Sequence, residues 1–194
     1  MSSRLVVTAL LLISCLVAIA EDKAKDKKAK AGQEQRPTIA SVLDRQLSNL
    51  EKEFVPAADA MPDKFDFAPS NGEFKGVRTF AQQAKHVAAT NLVIAAALLN
   101  EKPSFNPKLE NGPEELKTKA DAIKFLNESF AQAHKAIATI SDKNATDWIP
   151  SPFNPESKST RLSQASSMTW HSYDHYGQMV VYLRMNGVVP PASR

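Results

Sequence analysis

The sequence predicts an all-α protein, a four-helix bundle with long first and third connections. Apolar residues recur at steps of three and four in four long stretches, the spacing of one helix face. Ala and Leu dominate these stretches, whereas Gly is scarce, at 6 of 194 residues. Segments rich in Pro, Gly and Asn separate them, and none alternates as a half-buried strand does.

The first helix starts after Thr38, a capping residue type. It places Ile39, Leu43, Leu47, Leu50, Phe54, Ala57 and Met61 on one face. Pro56 is expected to kink it or end its regular part. Residues 62–76, with Pro62, Pro69, Gly72 and Gly76, form the long first connection. The second helix is expected from Val77 to Asn100. Its section from Val87 to Leu99 is apolar on nearly every side, so other helices must surround it. Pro103, Pro107, Gly112 and Pro113 mark the next connection. The third helix is expected from Glu114 to Ser141, with Leu116, Ala120, Ile123, Phe130, Ile137 and Ile140 inward and Glu114-Glu115 at the positive end of its dipole. A Pro-rich third connection around Trp148, Pro150, Pro152, Phe153 and Pro155 leads to a fourth helix from Thr160 to Asn186, stopped by Gly187 and Pro190-Pro191.

The N-terminus reads differently. Met1 to Ala20 has a start containing Arg4, an uncharged stretch from Leu5, small residues in Ala18-Ile19-Ala20, then Glu21-Asp22. That is the order of a secretory signal peptide, and the expected location is periplasmic or secreted. Cys15 resembles the cysteine of a lipoprotein signal, but the apolar run continues past it, which favours cleavage after Ala20. The mature chain would then hold no cysteine and no membrane span, which excludes thiol catalysis and Cys-ligated zinc. Residues 21–36 are a charged low-complexity tether, expected to be disordered, and residues 37–194 form the domain.

The formal charge of +3 belongs to these N-terminal segments. Arg4 contributes one unit, and residues 21–36 carry six basic against four acidic side chains, so the remainder is neutral. A nucleic-acid-binding domain would carry a basic face of its own, and no such partner is expected. The expected partner is a small-molecule substrate or ligand, and a homodimer is compatible with the sequence.

Candidate chemistry lies with the histidines. On the fourth helix the inward positions run Met168, His171, His175, Gln178, Tyr182 and Met185. His171 and His175 stand one turn apart, about 6 Å along the axis, where both rings reach one ion. His86 sits at the edge of the most apolar segment in the chain. A buried imidazole needs partners for both ring nitrogens, and a shared divalent cation is one way to satisfy three of them; core hydrogen bonding is the other. His134 precedes Lys135 among aliphatic neighbours and reads as peripheral or hydrogen-bonded. Ser172 follows His171 where a zinc protease motif needs Glu, and no nucleophile elbow is present.

The final helix, HSYDHYGQMVVYLRMNGVVPP over 171–191, together with TFAQQAKHVA over 79–88, resembles the DinB superfamily of four-helix metal-binding proteins. The resemblance spans about Thr38 to Ser193. It implies a DinB-like bundle in which His86, His171 and His175 hold one metal ion and leave the other coordination positions open. It also implies that Gly177 lets a neighbouring helix approach, with Gln178 and Arg184 in support. Many relatives carry His before the second of the paired ligands and Arg after it; here those positions are Asp174 and Tyr176, so the neighbours' roles do not transfer. Zn, Ni and Fe all suit such a site. The leading functional expectation is a metal-dependent hydrolase using a metal-bound water, with no catalytic side chain assignable and Asp174, Asn91 and Gln178 as supporting groups. Beside it stand a non-catalytic metal- or ligand-binding protein of the cell envelope, and a thiol-dependent transferase or isomerase, as some relatives are. Export counts against the last, because low-molecular-weight thiols work mainly in a reducing cytosol.

Overall fold

The computed structural model describes residues 36–194 apart from Asp63, Phe105, Pro107 and Pro155. The expected signal peptide and tether lie outside the described residues, Arg36 excepted. Thr38–Arg194 forms one compact unit of four helices: α1 (Ile39–Ala60), α2 (Phe80–Leu99), α3 (Lys119–Ile137) and α4 (Arg161–Met185).

A threonine opens every one of them. Thr38 accepts from the Ser41 amide at 3.1 Å and Thr160 from the Ser163 amide at 3.2 Å. Thr79 with Gln82, and Thr118 with Asp121, close reciprocal capping boxes. Each such cap stabilises its helix by about 1 kcal/mol. The Thr118 cap of α3 corrects the sequence expectation. Glu114 and Glu115 lie outside α3, because the chain takes its helical turn only where Thr118 satisfies the free amide of Asp121. Of the expected inward residues Phe130, Ile137 and Ile140 are buried, joined by Ala122, Leu126, Ser129 and Ala133, whereas Ala120 is exposed and Leu116 and Ile123 are half-buried. On α1 the expected face is buried from Leu43 to Met61, and the helix runs through Pro56 to Ala60. On α4 the inward row is Met168, Ser172, His175, Met179 and Tyr182, with His171 and Gln178 at its edge and Met185 exposed.

Long-range packing is concentrated between α2 and α3, α2 and α4, α1 and α4, and α1 and α3. The helices therefore occupy corners in the order α1, α3, α2, α4, and the first and third connections cross diagonals. Side-chain pairs fix the directions. Lys119 meets Asp59 while His134 meets Asp44 and Glu51, so α1 and α3 are antiparallel. The Tyr182 hydroxyl donates to the Arg78 carbonyl while His171 meets His86, so α2 and α4 are antiparallel. Lys85 reaches the carbonyls of Pro113 and Leu116 just before α3, while Lys135 near the end of α3 pairs with Glu101. Thus α2 and α3 are parallel, and the second connection, 100–118, must return along the whole length of α2, about 30 Å. It is as long as the first, which the sequence did not anticipate.

The third connection contains a short antiparallel hairpin, β1 (Trp148–Pro150) with β2 (Lys158–Thr160), in the register Trp148↔Thr160. The sequence carried no strand signal because three-residue strands show no periodicity. At this end Arg161 donates to the Leu98 carbonyl at 3.0 Å and to Thr139 Oγ1 at 2.8 Å, tying the start of α4 to the end of α2 and to the turn after α3. Phe54 packs edge-on to Phe130 and against Tyr176, bridging α1, α3 and α4. Its removal would cost about 3–5 kcal/mol. Gly187, at φ 74°, closes α4 through the Val188 amide to the Leu183 carbonyl. Among the described residues no helix is long and apolar enough to cross a membrane.

Candidate metal centre

Helices α2 and α4 bring His86, His171 and His175 together. His171 Nε2 lies 3.1 Å from His86 Nε2 and 3.1 Å from His175 Nε2. All three offer a ligand atom within 4.8 Å of one another, a group that could hold a metal ion. Two imidazole nitrogens at about 2.0–2.1 Å from one zinc ion stand about 3.3–3.4 Å apart at the tetrahedral angle, within a few tenths of an ångström of the distances here. The spacing fits.

The far side of each ring states which nitrogen is bare. His86 Nδ1 donates to the Glu110 carbonyl oxygen, which can only accept. His175 Nδ1 is 2.6 Å from Gln83 Oε1, and the polarity of that contact is fixed from a distance. The Asp174 carboxylate accepts from Gln178 Nε2 at 3.2 Å, so Gln178 presents its oxygen to Gln83 Nε2 at 2.8 Å. Gln83 must then present its own oxygen to His175 Nδ1–H. Both outer rings therefore carry their proton on Nδ1 and aim a lone pair from Nε2 towards His171. His171 Nε2 can hold one hydrogen and so satisfy one of them; its own Nδ1 is buried with no partner. A cation at the convergence point satisfies all three lone pairs. Hydrogen bonding alone does not.

Electrostatics agree. Burial, then the neighbouring His171 and His86, holds His175 down to about 3. Burial and the nearby His86 bring His171 down to about 4. Burial lowers His86 as well, outweighing the Glu110 carbonyl. At neutral pH all three are neutral imidazoles, the form that binds metal without first losing a proton.

The long second connection is pressed against α2 beside this cluster. Gly112 is buried at φ 73°, where a Cβ would stand 2.9 Å from Lys85 Cβ and 3.0 Å from its carbonyl oxygen. Arg78 Nε donates to Asn111 Oδ1 at 2.9 Å and its guanidinium faces the Glu110 carboxylate at 3.6 Å. These contacts hold the Glu110 carbonyl on His86. A cavity of about 790 Å³ opens beside the cluster, with His86 and His171 in its wall.

Three residues at the site were not anticipated. Gln83 stands one turn before His86 on the same face, and that spacing was the available signal; the structure shows its side chain fully covered. Arg78 and the Glu110 carbonyl act across the return loop and had none. Gln178 has a place in the relay to His175, and Asp174 ends it. Arg184 reaches Ser193 Oγ at 3.3 Å and braces the C-terminus. Gly177 is a correction: it is exposed, with nothing among the described residues within 4 Å of where a Cβ would lie, so none of the four helices approaches it. Asn91 is buried with both side-chain polar atoms unpartnered and takes no part in the hydrogen-bond chains of the cluster. His134 is peripheral, held between Asp44 at 2.6 Å and Glu51 at 3.1 Å.

Residues 46–179 match the DinB superfamily. The chain belongs to the DinB superfamily. The fold agrees: a DinB-like protein from Bacillus cereus superposes with a TM-score of 0.58 at 20% identity, covering 80% of this chain and 97% of that one. No match was found among curated proteins. The matched DinB segment contains all three histidines of the cluster.

Proposed function

We propose that this DinB protein is exported and acts as a metal-dependent hydrolase, with His86, His171 and His175 as the ligands of one divalent ion. Zn, Ni and Fe are the candidates. The observation that carries the reading is a cluster of three inward-aimed Nε2 atoms with a cavity open beside it. A purely structural site would be closed by packed side chains, so the open face counts against a structural metal, while a non-catalytic ligand-binding role would use the same cleft.

When bound, the ion supplies Lewis acidity and makes water more acidic. The chain supplies the rest. The Glu110 carbonyl and Gln83 orient two of the rings and keep their protons on Nδ1. The apolar part of the cavity wall excludes water from a bound substrate. Glu110 is the acidic residue among those lining the cavity, its exposed carboxylate facing Arg78, and we assign it the role of holding a proton during turnover.

Elemental analysis of the purified protein and of a His175→Ala variant tests the site. About one equivalent of metal is expected in the first and a large loss in the second; equal content in both would overturn the assignment. A metal-loaded protein that turns over nothing across an ester, amide and phosphate panel would overturn the hydrolase reading. Export rests on the N-terminal sequence, and the secreted protein is expected to begin at Glu21.

A further inference from the structure

The cavity beside the histidines has a direction. On α2 its wall passes from His86 through Thr90 to Ile94, and on antiparallel α4 from His171 back to Gln164. Both rows advance by helical steps of three and four, so the cavity is an elongated cleft between two helix faces. Its far end, at Gln164, lies about 10 Å along α4 from His171.

The side chain of Gln164 is the anomaly. It is only 8% exposed, it makes no hydrogen bond among the described residues, and its Oε1 is covered without a partner. A buried amide in that state is costly, and leucine would fit the same space without the cost. The surroundings are otherwise apolar at the wall positions Val93, Ile94 and Leu109. Phe153 and Trp170 also line the cleft while 57% and 64% exposed, which puts two aromatic rings at its mouth. The charged residues in the wall are Lys108 and Glu110, of opposite sign, so the cleft holds no net field for an anion or a cation.

We propose that this cleft binds a neutral, mainly apolar small molecule bearing a carbonyl or amide group, and that Gln164 is the residue that recognises that group. A bound carbonyl accepts from the Gln164 amide nitrogen, which unlike Oε1 is not sealed from the cleft, and the bond fixes the orientation of the ligand. The apolar body fills the Val93–Ile94 wall and is gripped by Phe153 and Trp170. The inference rests on the proposed metal reading only for what happens at the His171 end.

The test uses the full chain, metal-free and zinc-loaded, titrated with the neutral naphthyl ketone dye prodan and, separately, with the anionic dye anilinonaphthalene sulfonate. Prodan is expected to bind at least about tenfold tighter than the sulfonate. Gln164→Leu is expected to weaken prodan at least about fivefold, and to hold or raise the melting temperature, because an unpaired buried amide is removed. A residue serving only the fold would do the reverse. The inference is overturned if Gln164→Leu leaves prodan affinity unchanged, if it lowers the melting temperature by several degrees, or if the sulfonate binds as well as prodan. Titration of the metal-free chain reads the cleft alone. Failure of the three histidines to bind zinc, with the prodan pattern intact, would sink the metal reading and leave the cleft assignment standing.

Discussion

Gly112→Ala should damage both stability and the metal site, whereas Gly76→Ala should damage only stability, and less. The two glycines share the same backbone strain, at φ 73° and 80°. An alanine at either must adopt a left-handed conformation, which costs about 1 kcal/mol. They differ in what a methyl group meets. At Gly76 nothing lies within 4 Å; at Gly112 it meets Lys85 Cβ at 2.9 Å and the Lys85 carbonyl oxygen at 3.0 Å. Part of that obstacle is backbone within α2, which cannot swing aside, so the return loop must lift. Overpacking of this kind adds about 1–3 kcal/mol, for a total of about 2–4 kcal/mol at Gly112. Lifting the loop also withdraws the Glu110 carbonyl from His86 Nδ1, and loss of such a supporting bond weakens metal binding about 10- to 100-fold. Urea denaturation measures the first effect, and zinc competition against a chromophoric chelator the second. Equal stability losses in the two variants, or a Gly112→Ala protein with undiminished zinc affinity, would refute the reasoning.

Three further outcomes are expected. Gln83→Leu removes the acceptor from His175 and breaks the relay to Asp174, so zinc affinity should fall about 10- to 100-fold while the helical circular dichroism is retained; unchanged affinity would show that the relay has no influence. Glu110→Gln removes the charge facing Arg78 but leaves the Arg78–Asn111 bond and the fit of Gly112 to keep the backbone carbonyl on His86, so metal content should hold while turnover falls about 100-fold or more; retained turnover would remove Glu110 from the mechanism. Burial alone would lower the pKa of His134, but the hydrogen bonds and charges of Asp44 and Glu51 raise it above 6.5. The stabilisation from its protonation is then complete below pH 6.5 and is lost as pH rises through the raised value. His134→Ala should cost about 0.5–1 kcal/mol more at pH about 6 than at pH about 9, allowing for the solvent around Asp44, and a cost independent of pH would contradict it.

The helices were legible where sequence and local physics coincide. Thr38 and Thr160 announce their helices because a short hydroxyl side chain precedes an apolar row. The start of α3 was misread because Glu114-Glu115 also suits a helix start, and only the pairing of Thr118 with Asp121 decides between them. The three histidines were legible because periodicity places His171 and His175 together, His86 stands at the edge of an apolar run, and the DinB resemblance joins the three. Gln83 was missed because periodicity reports which face a residue occupies and not what its amide touches. The Glu110 carbonyl had no signature at all, since a backbone acceptor is the same in every residue. The parallel pairing of α2 and α3, which makes the second connection long, follows only from contacts between distant segments.

That return loop gives the three anchors unequal tenure. His171 and His175 are tied to one helix and lose their relative placement only if α4 unwinds. The orientation of His86 depends on a stretch without regular structure, held by Arg78, Lys85 and the fit of Gly112. Local opening of such a stretch requires far less free energy than global unfolding. A transient lifting of residues 108–112 would free His86 to turn while the pair on α4 stays in place. The cluster would then be a two-point seat with a third latch, and the loop, not the bundle, is expected to set the exchange rate of an ion held there.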